Sequence, residues 1–326
     1  MGNGQLQFAY KYSDSSANSL SEISSDLAVS FFYDIFIVCE RAYGSNRPIL
    51  LRKMILFPNC KINLGLRILA KRADGYHELE TVMYPVQGLC DALEMIPWEG
   101  QGVSFSSSGL PVEGPMDKNL CVRAYEALRK RHPLGGVKMH LHKVVPMGAG
   151  LGGGSADAAY VIRGLVEMFD LEMSETEMES VAAEIGSDTA FFVSGHPALA
   201  TGRGEILSPV DLSLQGYRLV IVKPPFGVST AQAYARVVPA VRGESLLERL
   251  AHPIAEWKEQ VINDFEPSVF AQFPRLKQLK ENLYENGALY AAMSGSGSAL
   301  FGIFPGGNPV TLSGITDEFV YQENMA

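Results

Sequence analysis

The sequence contains little cysteine, less positive than negative charge, and no long apolar run. Its four cysteines among 326 residues include no C-x-x-C pair, which argues against structural zinc and against a dense disulfide framework. We therefore expect reduced, buried thiols in a cytoplasmic protein. The 27 lysines and arginines are outnumbered by 36 aspartates and glutamates, so the chain, at a net charge of −9, is a poor candidate for binding nucleic acid or an anionic membrane.

The most apolar window, Ala28–Cys39, does not predict a membrane helix. It is interrupted by Asp34 and is shorter than the roughly 20 apolar residues that a spanning helix needs. Acidic residues outnumber the one basic residue before it, Lys11, and no small-residue cleavage site follows it. We therefore expect neither an export signal nor a membrane anchor.

Changes in composition suggest how the chain is divided. Residues 1–53 are rich in serine and show little periodicity, which favours an extension outside the folded unit; an ordered, docked N-terminal helix is the alternative. A second methionine, Met54, opens strand-like sequence and is a candidate start. Turn-forming residues cluster around 208–216 and mark a boundary. We predict an α+β protein with two domains, at 54–212 and 213–326.

Hydrophobic periodicity and capping signals predict the elements of the folded part. Leu120, Ala124 and Leu128 repeat at helical spacing after a capping Asp117, which predicts a helix over 118–132. The further predictions are a strand over 137–142, a helix from Ser155 to about Phe169, a helix over Glu175–Ile185 with a capping box at Ser174 and Glu177, a buried strand from Tyr217, a helix between Pro274 and Gly287, and a strand over 299–304.

The glycine-rich segment 146–159, PMGAGLGGGSADAA, predicts a phosphate site. Glycine lets the backbone approach a ligand closely, and free N–H groups that run into a helix N-terminus bind anions. The segment lacks the Gly-Lys-Ser/Thr ending of a Walker A loop. A dinucleotide fingerprint is formally present at Gly148, Gly150 and Gly153, but no strand separates the next two predicted helices, so an NAD-binding oxidoreductase is a distant alternative.

This loop resembles the phosphate loop of the GHMP small-molecule kinases. The segments PNCKINLGL (58–66) and MSGSGSALFGIF (293–304) fit the same superfamily in the same order. The resemblance is more specific to the 4-diphosphocytidyl-2-C-methyl-D-erythritol kinases, and it covers about residues 54–304. The segments that are similar to this family are RADGYHELETV (72–82), IGSDTAFFVSGHPALATGRGE (185–205) and KPPFGVSTAQAY (223–234).

The resemblance implies a two-domain fold, with an N-terminal domain like domain 2 of ribosomal protein S5 and a ferredoxin-like C-terminal domain. It implies ATP-dependent phosphorylation of the 2-hydroxyl of 4-diphosphocytidyl-2-C-methyl-D-erythritol, a step of the non-mevalonate (methylerythritol phosphate) isoprenoid precursor pathway. A GHMP kinase of another alcohol, such as homoserine or mevalonate, and a non-catalytic nucleotide-binding protein are the alternatives.

Lys61 and Asp188 are the candidate catalytic residues. Lys61 lies in an apolar, strand-like stretch where a solvated lysine is not expected, although a snorkelling lysine at a strand edge is an alternative. Asp188 precedes an apolar run and is also a candidate helix cap. By resemblance, Asp188 accepts the proton of the substrate hydroxyl, and Lys61 pairs with it and polarises the hydroxyl or the transferring phosphoryl group. Asn63 shares the strand face of Lys61 and is expected to assist.

The resemblance also assigns residues to the phosphate acceptor. Tyr76 and His77 are expected to hold the cytosine ring, with Tyr234 stacked on its opposite face. The second glycine-rich loop is expected to close over the phosphate side of the substrate through Ser294, Gly295 and Ser296. Cys60 stands where relatives commonly have a small residue, and a thiol beside Lys61 is expected to make the site sensitive to alkylation.

The candidate ATP-binding residues lie in and just before the glycine-rich loop. They are Lys143, Pro146, Met147, Gly148, Ala149, Gly150, Leu151, Gly152, Gly153, Gly154, Ser155 and Ala156. For Lys143 a solvated strand residue is an equal alternative, and for Ser155 a helix cap. We expect Mg²⁺ to arrive with ATP rather than in a dedicated metal site, because His140 and His142 share a strand face without a third ligand. The expected partners are small molecules only, with a monomer or weak homodimer.

Overall fold

The computed structural model describes residues 27–32, 35–41, 50–240 and 242–325, with side chains from Lys53 onward. Strands and helices of these residues are mixed along the chain, as the α+β prediction requires. The strands are β1 Leu27–Phe32, β2 Ile35–Arg41, β3 Leu50–Leu56, β4 Asn59–Lys71, β5 His77–Cys90, β6 Ala92–Trp98, β7 Val103–Gly109, β8 Gly136–Lys143, β9 Ala198–Thr201, β10 Ile206–Pro209, β11 Tyr217–Lys223, β12 Tyr290–Met293, β13 Leu300–Pro305 and β14 Phe319–Asn324.

The α-helices pack against three sheets. One sheet has six strands in the order β1-β2-β3-β6-β8-β7, a second has the order β10-β9-β5-β4, and the third, in the C-terminal half, has the order β12-β13-β11-β14. The α-helices are α1 Leu120–Arg129, α2 Gly153–Met168, α3 Glu175–Ala183, α4 Phe191–Ser194, α5 Thr230–Tyr234, α6 Leu246–Leu250, α7 Glu266–Gln272 and α8 Pro274–Glu285, with 3-10 turns at Met116–Lys118 and Ile254–Glu259.

Two strands lie within the segment that we expected outside the fold. β1 pairs with β2, and β2 pairs with β3, both antiparallel, so the backbone of residues 27–41 extends the six-stranded sheet. The expectation for residues 1–53 is therefore corrected at these strands, which also replace the alternative of a docked helix there. The physical reason is the apolar window itself, since its aromatic and β-branched residues favour strands. Residues 1–26, 33–34 and 42–49 lie outside the described residues.

Two helix starts differ from the prediction by a turn or less. Asn119, not Asp117, caps α1, because its side chain accepts a hydrogen bond from the backbone N–H of Cys121 at 2.9 Å. α2 begins at Gly153 rather than Ser155. The capping box that opens α3 is confirmed, with both reciprocal hydrogen bonds between Ser174 and Glu177 present.

The two halves of the chain share a hydrophobic core. One buried cluster combines Ile62 of β4 with Ile221 of β11 and Tyr290 of β12. The change from the second to the third sheet occurs between the end of β10 and the start of β11, around the place where the sequence predicts the domain boundary. Because the boundary crosses packed apolar side chains, the cleft between the halves has fixed walls.

Candidate active site

Two glycine-rich loops from different halves of the chain meet at one carbonyl oxygen. The phosphate loop (146–152) joins β8 to α2, and the second glycine loop (294–298) joins β12 to β13. The carbonyl of Gly150 accepts hydrogen bonds from Ser294 Oγ at 2.9 Å and from Lys61 Nζ at 2.8 Å. A backbone hydrogen bond from Ala299 to Ala149, 3.0 Å long, continues the contact. The loops are therefore fixed relative to each other and to Lys61.

The phosphate loop alternates apolar anchors with glycines. Ala149 and Leu151 are each 1% exposed and pack in the core, while Gly148, Gly150 and Gly152 have positive φ angles of 60°, 75° and 72°. At Gly150 a side chain is excluded, since a Cβ atom would lie 1.9 Å from the carbonyl oxygen of Ser294. The two buried side chains therefore anchor the loop, and the glycines between them supply the backbone angles that it needs.

The start of α2 is suited to bind an anion. The helix begins after Gly152, and no side chain caps its first N–H groups. Uncapped N–H groups at the positive end of a helix dipole, next to a loop of fixed shape, favour a phosphate. Ser155 lies in this first turn, so its hydroxyl is close to the expected phosphate site.

A cavity of about 750 Å³ lies between the two halves, beside both loops. Lys61, Asn63 and Asp188 lie in its wall near the phosphate loop, and the aromatic residues of the sequence prediction lie in its wall as well. Its lining residues include Lys61, Asn63, Tyr76, His77, Gly150, Ser155, Glu184, Asp188, Arg203, Tyr234, Gly295 and Ser296. The cavity thus brings together most of the predicted acceptor and catalytic residues.

Lys61 is buried and holds Asp188 at the cavity wall. Its Nζ lies 3.3 Å from Asp188 Oδ2, and it donates to Asn63 Oδ1 at 2.5 Å. Lys61 is only 2% exposed, whereas the Asp188 side chain is 33% exposed. Its second hydrogen bond goes to the carbonyl of Gly150, so the ammonium is held by two hydrogen bonds and one ion pair. Asp188 therefore keeps an accessible carboxylate oxygen beside a fixed positive charge.

The positions of Lys61 and Asn63 follow from the strand. Alternate side chains of β4 share one face, so the two side chains point into the same wall. Asn63 Nδ2 donates to Thr81 Oγ1 of β5 at 3.1 Å, which fixes the amide. Asp188 is not a helix cap, since α4 begins at Phe191 and takes Ala190 as its cap. The alternative for Lys61, a snorkelling edge lysine, is wrong because its ammonium is buried.

Tyr76, His77 and Tyr234 all line the large cavity, but the rings of His77 and Tyr234 are in contact with each other. Their rings are stacked with centroids 4.8 Å apart and an interplanar angle of 24°. A base inserted between two rings needs a centroid separation of about 7 Å. A base that stacks on this face of Tyr234 therefore has to displace the imidazole. Tyr76 is 57% exposed, and the guanidinium of Arg203 lies 5.0 Å from its ring centroid.

Lys143 does not reach the surface, contrary to the alternative of a solvated strand residue. It is 2% exposed, and its Nζ is bonded to Asp91 Oδ2 and, at 2.7 Å, to Asp157 Oδ2. Burial raises the pKa of Asp157 to about 8, because the nearby ammonium offsets it only in part. Burial lowers the pKa of Lys143, but the two carboxylates outweigh it and raise that pKa. The ammonium of Lys143 therefore pairs with two buried carboxylates next to the phosphate loop and has a structural role there.

The predicted ATP-binding residues are divided between two cavities. Gly150 and Ser155 line the large cavity, whereas Lys143, Met147 and Gly154 line a smaller one of about 120 Å³ beside the start of α1. The phosphate loop separates these cavities. A nucleotide lying along the loop would reach both.

Two residues that hold the loops were missed by sequence reasoning. Asn263 is buried, and its Nδ2 donates to the carbonyls of Met293 at 2.7 Å and Gly295 at 2.8 Å. Asp91 Oδ1 accepts from the backbone of Val144 and Val145, at 2.6 and 2.8 Å, where the chain enters the phosphate loop. A lone Asn after a helical turn and a lone Asp between two strands carry no local signal for such contacts.

The expectation of a reactive thiol is not supported at Cys60. Its side chain is fully buried, and burial raises the pKa of the thiol well above its usual value. Three described cysteines, Cys60, Cys90 and Cys121, form no disulfide. In the described part of the chain there is no helix long and apolar enough to cross a membrane.

Comparisons with known proteins agree with this geometry. The family "GHMP kinases N terminal domain" matches residues 119–196, and "GHMP kinases C terminal" matches residues 244–311. A crystal structure of mevalonate kinase from Methanococcus jannaschii, 12% identical, covers 87% of this chain and 100% of that chain with a TM-score of 0.61, which shows the shared fold. The fold and the loops at the cleft are those of a GHMP kinase.

Proteins that are more similar to this chain identify one family among the GHMP kinases. The 4-diphosphocytidyl-2-C-methyl-D-erythritol kinase of Parabacteroides distasonis is 48% identical over 251 residues, which are 77% of this chain and 92% of the relative. That of Bacteroides fragilis is 47% identical over 274 residues, 83% of this chain and 100% of the relative. A crystal structure of 4-(cytidine 5'-diphospho)-2C-methyl-D-erythritol kinase, 34% identical, covers 78% of this chain and 91% of that chain with a TM-score of 0.64. The chain belongs to the 4-diphosphocytidyl-2-C-methyl-D-erythritol kinase family.

Proposed function

We propose that this kinase transfers the γ-phosphate of ATP to the 2-hydroxyl of 4-diphosphocytidyl-2-C-methyl-D-erythritol, a step of the non-mevalonate isoprenoid precursor pathway. The observation that carries the proposal is the Lys61–Asp188 pair, 3.3 Å apart, in a cavity bordered by the phosphate loop and the second glycine loop. Phosphoryl transfer needs a positioned base and fixed positive charge more than covalent chemistry. This pair supplies both.

In the proposed reaction, Asp188 takes the proton of the acceptor hydroxyl as its oxygen attacks the γ-phosphorus. The bond between that phosphorus and the β-γ bridging oxygen breaks, and ADP leaves. Lys61 stabilises the charge that develops on the transferring phosphoryl group, and Asn63 keeps the ammonium in place through the 2.5 Å hydrogen bond. The large cavity holds the acceptor near this pair.

ATP is proposed to lie along the phosphate loop, with its phosphates at the start of α2 and its nucleoside towards the smaller cavity. Among the described residues, no group of three His, Cys, Asp or Glu side chains is suited to hold a metal ion. Mg²⁺, bound by the phosphates of ATP, would supply charge neutralisation, and the hydroxyl of Ser155 at the cavity wall fits a contact to it or to a phosphate.

The acceptor is proposed to place its cytosine by Tyr76 and His77, with Tyr234 completing the aromatic wall once His77 turns aside. Ser294, Gly295 and Ser296 remain the proposed contacts on its phosphate side. Of these, Gly295 and Ser296 line the large cavity, whereas Ser294 is fully buried and supports the loop through Gly150. A cytoplasmic location and a monomeric or weakly dimeric state stay predictions.

The test is an ADP-release assay with three alternative acceptors: the cytidylyl substrate, homoserine and mevalonate. We expect turnover with the first only, and a loss of roughly 100-fold or more in kcat for Asp188→Asn, which keeps the shape and removes the base. Glu184→Gln is the control, because Glu184 also lines the cavity but pairs with Arg131 instead of Lys61, and this variant should stay within a few-fold of wild type. Equal rates for wild type and Asp188→Asn would overturn the role of Asp188, and turnover of homoserine or mevalonate instead would overturn the acceptor.

A further inference from the structure

Two turns face each other at the large cavity. The first mouth turn (72–76) precedes β5, and the second mouth turn (202–205) joins β9 to β10. Leu79 donates its N–H to the carbonyl of Gly202 at 2.8 Å, and the N–H of Gly202 donates to Glu78 Oε1 at 3.1 Å. The second mouth turn is therefore fastened to β5, the strand that begins beside Tyr76.

The second mouth turn is shaped to present Arg203. Glycines with positive φ stand on both sides of it, 71° at Gly202 and 107° at Gly204. Glu205 holds the base of the side chain, accepting from the Arg203 backbone N–H at 2.5 Å and from Nε at 3.2 Å. The guanidinium lies 5.0 Å from the ring centroid of Tyr76. Its two terminal nitrogens have no hydrogen-bond acceptor within the described part of the chain.

The charges in the cavity wall make this arginine distinctive. Besides Arg203, the wall carries one other lysine or arginine among the described residues, Lys61, whose ammonium is hydrogen-bonded to Asn63 and Gly150 and paired with Asp188. The two acidic residues that line the cavity already have cationic partners: Asp188 pairs with Lys61, and Glu184 pairs with Arg131. Arg203 pairs with Glu205 through Nε alone, so it is the cation in this wall whose terminal N–H groups are available to a phosphorylated acceptor.

We propose that Arg203 binds the diphosphate of the acceptor, and that the cavity thereby selects a nucleoside diphosphate ester over an unphosphorylated alcohol. This inference rests on the proposed function and adds a contact to it. A guanidinium matches two phosphate oxygens with two parallel N–H groups, which a lysine cannot do. Because Arg203 lies against Tyr76, phosphate binding and stacking of the base on the tyrosine take place side by side.

The experiment compares ligands that differ only in their phosphates. Titration calorimetry with CDP and with cytidine, without ATP, is carried out on wild type, Arg203→Gln and Arg203→Lys. Arg129→Gln is the matched control, because Arg129 is 44% exposed against 45% for Arg203 and also pairs with a nearby glutamate, but on the surface of α1. Steady-state KM values for the cytidylyl substrate and for ATP complete the set.

We expect Arg203→Gln to weaken CDP binding by about tenfold or more, the effect of losing hydrogen bonds to a charged group, and to leave cytidine binding within about twofold. The KM for the acceptor should rise by a similar factor while kcat and the KM for ATP stay near wild type. Arg203→Lys should recover part of the loss, and Arg129→Gln should show none. Unchanged cytidine binding also shows that the variant is folded.

Two results would overturn the inference while the proposed function stands: an active wild type whose Arg203→Gln variant keeps its affinity for CDP and its acceptor KM, or a variant that loses affinity for cytidine and CDP equally. In the second case Arg203 supports Tyr76 rather than a phosphate. Failure of the wild type to form ADP with the cytidylyl substrate would instead refute the proposed function, and the calorimetry with CDP would still decide the role of Arg203.

Discussion

Replacing Gly150 by alanine tests whether the contact between the two glycine loops supports both stability and ATP binding. The new Cβ atom would lie 1.9 Å from the carbonyl oxygen of Ser294, where at least 3.0 Å is needed, so the loops must move apart. That movement breaks the bond from Ser294 Oγ and weakens the one from Ala299, at about 1 kcal/mol each. The positive φ of 75° adds about 1–2 kcal/mol.

We therefore expect Gly150→Ala to lower the free energy of unfolding by about 3–4 kcal/mol. Two matched variants isolate the contact, because Gly148 and Gly195 also have positive φ but a Cβ atom at either meets no heavy atom within 4 Å. These controls should lose only the backbone part, about 1–2 kcal/mol. Lys61 also bonds the displaced carbonyl, so kcat should fall as well as ATP affinity.

Urea unfolding gives the stability of the three variants, and titration with a non-hydrolysable ATP analogue gives affinity. If Gly150→Ala were no less stable than Gly148→Ala and Gly195→Ala, the contact with the second glycine loop would carry no free energy and the reasoning would be refuted. Equal stability combined with lost ATP binding would restrict the role of Gly150 to the ligand.

Two further variants probe residues beneath and behind the loops. Because the pKa of Asp157 is raised to about 8, the folded state holds an extra proton between about pH 4 and 8, and this group makes stability fall as pH rises through that window. Asp157→Asn should flatten that part of the curve of unfolding free energy against pH, and an unchanged slope would contradict the assignment. Asn263→Ala removes the donors to Met293 and Gly295 and should lower the free energy of unfolding in urea by about 2–3 kcal/mol. It should also raise the KM for the acceptor, because the second glycine loop is then less well fixed. An acceptor KM equal to that of wild type would show that Asn263 does not support the acceptor site.

Features set by neighbouring residues could be predicted from the sequence. The phosphate loop followed from its glycines, and the structure adds that Ala149 and Leu151 anchor it between them. The shared face of Lys61 and Asn63 followed from the period of a strand. Helix starts were less certain because Asp117 and Asn119, two residues apart, are both good caps, and only the fold selects the second.

Features set by distant parts of the chain could not be predicted from the residues alone. The apolar run after Asp188 is also typical of a helix that this residue would cap, and the pairing of Asp188 with Lys61 is implied only by resemblance. Asp91 and Asn263 act through contacts with segments far away in sequence, and no local pattern distinguishes them from other polar residues in turns. The strands β1 and β2 were missed because their apolar window was weighed as a membrane or export segment and not as an extra pair of strands.

The shared carbonyl of Gly150 has a consequence for exchanging domains between related enzymes. It bonds a lysine from the N-terminal half and a serine from the C-terminal half, so neither half contains a finished site. A chimaera that joins the N-terminal half of one kinase to the C-terminal half of another keeps each loop, but the contact between the two loops is then made by residues from different proteins. Residues 149–151 and 294–299 therefore have to be exchanged together, although more than a hundred residues of chain separate them.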